Sequence, residues 1–527
     1  MELDCISYKD IDFLPKLMSD YLEREPNLGS LFNQPPTLKG FKSTIENRQF
    51  SDDKRAVLSE VLKSQYLGVD NANQQLSAIE LLKKPTTFTV TTGHQLCLGT
   101  GPMYFIYKIL SVVKLSVKLK KEFPENDFIP MYWMATEDHD FLEINHFNTS
   151  KKLYEWKGEN DIAVGWKQPE VNDLILELEK DIEKNTSSKK WLELIKEAYS
   201  KKDLASATRN LVHCFLGKFG VVIIDGDDAQ LKQIFAPKMK QEIEHQTSFN
   251  SVAKTIKQLN KIGYKEQVSP RDINLFYLSK TSRIRITKKA AGFELADKSK
   301  TWTNDEIVNE ITSRPELFSP NVLLRPLYQE TILPNLAYIG GAGEMSYWFE
   351  LKSMFENFEI DFPILMLRNS AVLVSKRDAE RLSKLKLEWE DIFKSESHIE
   401  KMLVEIHGNK NLNLDAYRSK IESIFQELKL LAGSVDTTLE PSSEVSKTRS
   451  LKSIDRLEKK LIRGEKLNLE TDLEMMYRVK GSVFPSGNFQ ERYYNIAEFY
   501  PRTGDELFDQ LFEAFNPFQP DITVLEF

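Results

Sequence analysis

Between residues 85 and 146 the hydrophobic pattern changes period twice. A short β-type run, Phe88-Thr89-Val90-Thr91, stops at Thr92-Gly93-His94-Gln95 and a glycine-bearing loop, Leu98-Gly99-Thr100-Gly101-Pro102. Residues 103–121 then keep an amphipathic helical spacing without a break, and 129–135 read as a second strand. That strand ends abruptly in Thr136-Glu137-Asp138-His139-Asp140. Two strands joined by one helix predict a βαβ unit, whose parallel strands present ligand-binding groups at their carboxyl ends. Both ends are polar here, which makes them the candidate active site.

The same reading divides the whole chain. Residues 1–84 are expected to be a helical part of the core, with helices over 10–22 and 54–67 on either side of Pro35-Pro36. Residues 85–150 form the first half of the core, and 151–215 a charged, helical connecting insertion. In 216–239 the run Val221-Val222-Ile223-Ile224, stopped by Asp225-Gly226-Asp227-Asp228, predicts a buried parallel strand followed by a helix. Residues 240–320 read as a second insertion, with strands at Leu275-Phe276-Tyr277-Leu278 and Ile284-Arg285-Ile286. In 321–375, the pieces Leu323-Leu324-Arg325-Pro326, Tyr338-Ile339-Gly340 and Pro363-Ile364-Leu365-Met366-Leu367-Arg368 are taken as the rest of the core sheet.

Residues 376–469 change character. Leu382, Leu385, Trp389, Ile392, Glu396, Ile399, Leu403 and Ile406 recur by threes and fours, with Glu396 the one polar member, and so do Tyr417, Ile421, Ile424, Leu428, Leu431 and Val435. Ile454, Leu457 and Leu461 continue the pattern, with Pro441 expected in a first helical turn. Heptads sustained this long predict a coiled coil, within the chain or between two copies. Residues 470–527 are expected to return to the core.

Composition narrows the class. The chain has 527 residues, 41% hydrophobic and 28% charged, in the range of a folded multi-module protein. A net charge of -8 argues against nucleic acid as the main partner. No apolar run approaches the roughly 18 residues of a membrane span. The start, Met1-Glu2-Leu3-Asp4-Cys5, has no basic-then-apolar leader, so a cytoplasmic location is expected. Cys5, Cys97 and Cys214 are scattered and form neither a disulfide framework nor a zinc spacing.

Three groups of residues carry candidate chemistry. The Gly93-His94-Gln95 loop, with Tyr104 and Lys108 in the helix that follows, can hold an anion on backbone N–H groups, or can be a tight structural turn. Glu137, Asp138, His139 and Asp140, with Asn145 and His146 soon after, suit acid–base chemistry, recognition of an ammonium, a divalent metal, or a solvated acidic loop. Arg325, Gln329 and Glu330 form a polar set in which the arginine suits a carboxylate. Gly340, Gly341 and Gly343 allow close backbone approach or form a helix-start turn packed on the sheet, and Glu344, Tyr347 and Trp348 can line a pocket. Arg368 ends a strand and reads either as a binding group or as half of a structural ion pair.

Taken in order, these pieces resemble the BshC family, cysteine ligases of bacillithiol biosynthesis. The resemblance is carried by Thr92-Gly93-His94-Gln95 with Thr100-Gly101-Pro102 and Lys108, and by Glu137-Asp138-His139-Asp140 with Glu143-Ile144-Asn145-His146. It continues through Leu324-Arg325-Pro326 with Gln329-Glu330, Gly340-Gly341 with Gly343-Glu344 and Tyr347-Trp348, and Gln490-Glu491-Arg492. The resemblance implies an α/β fold: a Rossmann-like, nucleotidyltransferase-like parallel sheet core with helical insertions and an α-helical coiled-coil domain that forms a homodimer. It also implies that cysteine is joined to glucosaminyl malate; fold and chemistry then suggest ATP, with magnesium, activating the cysteine carboxylate as an adenylate, with another activated cysteine donor as the alternative. In that scheme the Gly93 loop and the Lys108 helix bind the phosphates or the developing oxyanion, Asp138, His139 and Asp140 bind and deprotonate the glucosamine amine or orient the cysteine ammonium, and Arg325 or Arg368 holds the malyl carboxylates. Two other readings stay open: a metal-dependent hydrolase using Asp138, His139, Asp140 and His146, and a non-catalytic nucleotide-binding scaffold with a coiled-coil arm.

Overall fold

Five parallel strands make the central sheet: β1 (Thr87–His94), β2 (Asp127–Met134), β3 (Val222–Asp225), β4 (Asn335–Gly340) and β5 (Ile364–Leu367), in the order β5-β4-β1-β2-β3. The computed structural model describes residues 3–159, 162–408 and 414–527. Every residue of β4 and β5 is buried, and all but one of β1 and of β2, as expected for a parallel sheet covered on both faces. Threonines alternate with Phe88 and Val90 in β1, and their hydroxyls need partners. Thr89 and Thr91 both donate to Asn335 Oδ1, at 3.1 and 2.8 Å, and Thr92 donates to the Ile339 carbonyl at 2.8 Å. These bonds tie β1 to β4 along the line where the chain reverses its winding.

Helix α1 (Tyr104–Glu122) joins β1 to β2. Its first half is buried on nearly every side, through Phe105, Ile106, Tyr107, Ile109, Leu110, Val112 and Val113, while its second half is amphipathic as the spacing suggests, with Leu115 and Leu119 buried and Lys114, Val117, Lys118 and Lys121 on the outer face. Helix α2 (Ala229–His245) follows β3, α3 (Leu324–Ile332) precedes β4 and α4 (Ala342–Glu350) follows it. Leu324-Arg325-Pro326 therefore open a helix instead of lying in the sheet. A proline is tolerated in a first turn because its missing N–H has no helical partner there. The expected helix over 10–22 is confined to Lys16–Leu22, with Pro15 before its first residue.

The region 240–320 carries its own antiparallel sheet, ordered Thr301–Trp302, Gly292–Leu295, Ser282–Lys289, Leu275–Ser279 and Phe318–Pro320. The stretch after β2 holds a two-stranded ribbon, His146–Asn148 with Leu153–Glu155, before the helices of the first insertion. The C-terminal strand Ile522–Glu526 pairs antiparallel with Leu3–Ile6, Leu3 opposite Leu525 and Ile6 opposite Ile522. Apart from Glu526, these elements belong to one compact unit, residues 1–372 with 488–525 and 527.

A second unit comprises residues 373–487 with 526; beyond the end of the strand Ser370–Val374, the described elements of 373–487 are all helical. The heptad run over 382–406 spans two helices. It breaks after Lys376–Leu385, where Lys386 is left-handed (φ 54°), and resumes at Glu396–His407 after a short turn at Trp389–Phe393. Asp415–Val435 and Glu440–Asn468 form an antiparallel hairpin with Pro441 in the second helix's first turn. Arg418 bridges Asp455 at 3.0 Å and Glu458 at 2.7 Å. No side chain of Asp415–Val435 is buried; Tyr417, Ile424, Leu428, Leu431 and Val435 are all exposed.

Candidate active site

The winding of the sheet reverses between β1 and β4, and a cavity of about 730 Å³ opens over the carboxyl ends of β1 to β4. Ligands of open α/β sheets bind at such a reversal, because the connections leave in opposite directions and part there. The cavity wall near the reversal is basic and aromatic. The wall at the ends of β2 and β3 is acidic.

At the reversal, Lys108 of α1 donates to the Gly93 carbonyl and to Glu344 Oε2 of α4, both at 2.6 Å. Tyr338 of β4 donates to Glu344 Oε1, and its oxygen accepts the Gly93 N–H at 3.2 Å. Burial opposes the Glu344 charge, but Lys108 and Tyr338 hold its carboxyl below the ordinary range. A Cβ on Gly93 would lie 3.1 Å from the Tyr338 oxygen and 3.3 Å from Arg325 Nη1, so any larger residue would push these two side chains back by a few tenths of an ångström. Arg325 of α3 donates to Gln329 Oε1 at 3.1 Å and sits 3.5 Å from the Tyr338 oxygen. No carboxylate pairs with Arg325 or with the exposed Arg492 among the described residues, and both line the cavity.

His94 ends β1 with its ring stacked on Tyr104 at 5.2 Å. Burial, with Lys108 and Arg368 nearby, pushes its pKa well below the usual histidine value, so the ring is neutral. Its Nδ1 lies 2.7 Å from the Gln95 N–H and accepts from it, which assigns the ring proton to Nε2. That Nε2 is buried without a partner: a neutral donor on the cavity wall.

On the opposite wall, Asp138 accepts from Gln95 Nε2 and from the His139 N–H, each at 2.8 Å. Burial resists the charge, but these bonds and Arg283 hold Asp138 well below the usual carboxylate range. Arg283 reaches in from the sheet of the second insertion and stacks on Phe276 at 4.1 Å. It donates to the Pro320 carbonyl at 3.0 Å and lies 3.1 Å from His139 Nδ1. Burial pushes Glu137 up to about 7, against the pull of Lys232.

The structure sorts the remaining candidates. Gly341 and Tyr347 line the cavity with His94, Gln95 and Glu344. Arg368 also lines it, but its fork grips Glu491, with Nη1 2.9 Å from Oε2 and Nη2 on Oε1, so the expected carboxylate grip is already filled. Lys108, expected to bind phosphates, is likewise paired with Glu344. Gln329 is fully buried and orients Arg325; Glu330 lies behind it, accepting from Gln329 at 2.9 Å and Asn335 at 2.7 Å. Trp348 is buried beneath Tyr338, stacked at 4.3 Å, and Gly340 accepts the Arg368 N–H at 2.9 Å behind the wall. His139 supports Arg283 from outside the cavity lining, and Asp140 precedes the short helix Phe141–Ile144. Asn145 donates to the Trp156 carbonyl at 2.9 Å and contacts His146 Nδ1 at 3.0 Å; neither residue reaches the cavity. The four side chains of the metal reading thus do not converge, and no group of three His, Cys, Asp or Glu side chains suited to a metal occurs among the described residues.

Arg283, Asp227, Lys232 and Tyr338 were missing from the sequence-based site. Asp227 sits in the acidic stop after β3, a pattern already noticed at β2. Arg283 lies on an exposed-looking strand of alternating polarity, with no signal that the second insertion folds back over the sheet.

Comparison with known proteins is consistent with this architecture. Residues 1–369 match the family model for the bacillithiol biosynthesis BshC N-terminal Rossmann-like domain, and residues 371–527 match its C-terminal coiled-coil domain. A Flavobacterium johnsoniae protein named "Putative cysteine ligase BshC" is 38% identical, covering 100% of both chains. A Christiangramia forsetii protein of the same name is 36% identical over 100% of this chain and 99% of its own. A solved Campylobacter jejuni structure described as a "putative arginyl t-RNA synthetase" covers 84% of this chain and 99% of its own, at 11% identity and a TM-score of 0.21, too loose to carry an argument. With both of its domains matched and relatives aligned from end to end, the chain belongs to the BshC family.

Proposed function

We propose that this protein is a cytoplasmic ligase of bacillithiol biosynthesis that joins the carboxyl group of L-cysteine to the glucosamine amine of glucosaminyl malate. The observation that carries the reading is the cavity's division into a donor wall and an acidic wall, in a chain of the BshC family. Amide formation between a carboxylate and an amine needs both: donors for the anionic groups, and carboxylates for the nitrogen centres.

The chemistry supplied by ATP with magnesium is conversion of a cysteine carboxylate oxygen into a leaving group. His94 fits an anion there, because its buried Nε2–H lacks a partner. Gly341 and Gly343 leave the backbone at the start of α4 free of side chains beside it. Arg325 and Arg492 hold the malyl carboxylates, a role suited to paired guanidinium N–H groups. Asp138, held ionised, orients an ammonium or amine. The exposed apolar residues of Asp415–Val435 pair with a second copy, giving a homodimer.

The test is an endpoint assay by mass spectrometry of purified protein with cysteine and glucosaminyl malate, with and without ATP and magnesium. Bacillithiol formed only with ATP supports the ligase, and the AMP or ADP released identifies the activation. Absence of product with folded protein under every condition overturns the reading. Light scattering after size exclusion tests the dimer, and a monomeric mass at working concentration removes it.

A further inference from the structure

Two neighbouring carboxylates end β2, and their surroundings give them different tasks. Both oxygens of Asp138 already accept: Oδ2 from Gln95 and Oδ1 from the His139 N–H, each at 2.8 Å, with Arg283 3.7 Å from Oδ1. Glu137 is held from one side only, where its Oε1 meets Lys232 Nζ. Lys232 comes from α2 and is wholly buried. Its three N–H donors are matched by Glu137, by Asp227 Oδ1 at 3.1 Å and by the Glu316 carbonyl at 3.0 Å. The ammonium is therefore saturated, and Glu137 Oε2 has no partner among the described residues while Glu137 lines the cavity.

We propose that Glu137 is the general base that takes the proton from the attacking glucosamine amine, with Lys232 as its positioning residue and Asp138 as the fixed negative charge beside it. The assignment rests on the amide-forming reading of this site. In the step, the amine nitrogen bonds to the carbonyl carbon of cysteine activated by a nucleoside triphosphate. The carbon's bond to its oxygen-linked leaving group breaks, the leaving group keeps the electron pair, and one amine proton passes to Glu137 Oε2. Asp138 suits this step less well, because a carboxylate with a donor already on each oxygen is a weaker base. The groups facing Glu137 are Lys232 of α2, Asp227 after β3, Arg283 of the second insertion and Tyr328 of α3. Burial outweighs the cations among them, so Glu137 exchanges its proton near neutrality, whereas Asp138 stays ionised. A base poised near the working pH is the efficient one.

The test compares pH profiles of kcat for bacillithiol formation by the full-length protein and its Glu137→Gln, Glu137→Asp, Asp138→Asn and Lys232→Gln variants. The wild type is expected to lose rate below pH about 7. Glu137→Gln should lower kcat by about 10²–10⁴-fold and abolish that limb, the usual range for removing a general base. Glu137→Asp should restore part of the rate with the limb present, and Asp138→Asn should raise KM for the amine while keeping the limb. Lys232→Gln should move the limb to higher pH, a shift that a merely structural lysine would not produce. A Glu137→Gln enzyme with the wild-type limb and kcat within threefold overturns the assignment alone. A wild type that forms no product overturns the ligase reading and the base with it.

Discussion

The two walls of the cavity handle charge in opposite ways. At the β1–β4 reversal four basic side chains approach the space, but two are already neutralised, Lys108 by Glu344 and Arg368 by Glu491. Arg325 and Arg492 are the cations left to meet a ligand. At the end of β2, adjacent carboxylates differ instead in readiness for protons: Asp138 has a donor on each oxygen, and Glu137 is largely buried beside one lysine. Residue type alone therefore does not identify a binding group. What decides is whether the chain has already supplied its counter-charge.

The strongest way to break the comparison is to remove the paired and the unpaired arginine in turn. Arg368→Ala strands the buried Glu491 and should destabilise the fold by about 3–5 kcal/mol in urea unfolding, the cost of an uncompensated buried charge. Arg325→Ala should leave the unfolding midpoint nearly unchanged and raise KM for glucosaminyl malate by about 30-fold or more, equivalent to about 2 kcal/mol or more. If the two variants exchange these phenotypes, the division into structural and binding cations is wrong. Gly93→Ala should cost about 1–3 kcal/mol as its Cβ meets Tyr338 and Arg325, with KM for the malyl substrate rising alongside. A crystal structure of that variant with Arg325 unmoved would count against the close-approach argument.

The smallest effects lie in stability against pH. Glu137 has a folded value raised above the unfolded one of roughly 4.3, so its contribution is fully present below that and is lost as pH rises through about 7. Asp138 is depressed, so its contribution is present above roughly 3.9 and is lost as pH falls through its folded value. Glu137→Gln should flatten the decline from pH about 4 to 7, and Asp138→Asn should flatten only the acid side. Each slope is at most about 1.4 kcal/mol per pH unit, measurable by urea titration at fixed pH. Identical profiles for the two variants would mean that the adjacent carboxylates are not differently wired.

Much of the core could be read in advance, for local reasons. β1, β2 and β3 are short apolar runs with polar stops, and the polar stops coincide with the cavity rim because every parallel strand presents its carboxyl end to the same side. Leu324-Arg325-Pro326 misled, since an apolar run that short suits a strand or a first helical turn equally well. The 382–406 stretch gave no sign of the break at Lys386, because threefold and fourfold spacing survives a left-handed residue that ends one helix while Leu382 and Leu385 stay buried. Asn145 and His146 lie within eight residues of Asp138, yet the chain turns into the ribbon and carries them away from the cavity.

The sequence by itself determined the alternation of strands and helices, the polar rim and the family, because each is written in local periodicity or in ordered motifs. Only the tertiary structure decided which charges face the cavity unpaired. That depends on contacts such as Arg368 with Glu491, Lys108 with Glu344 and Arg283 with Asp138, whose partners lie more than a hundred residues apart in the chain. Electrostatic pairing acts over a few ångströms of space and is indifferent to distance along the sequence, so no local pattern could announce it.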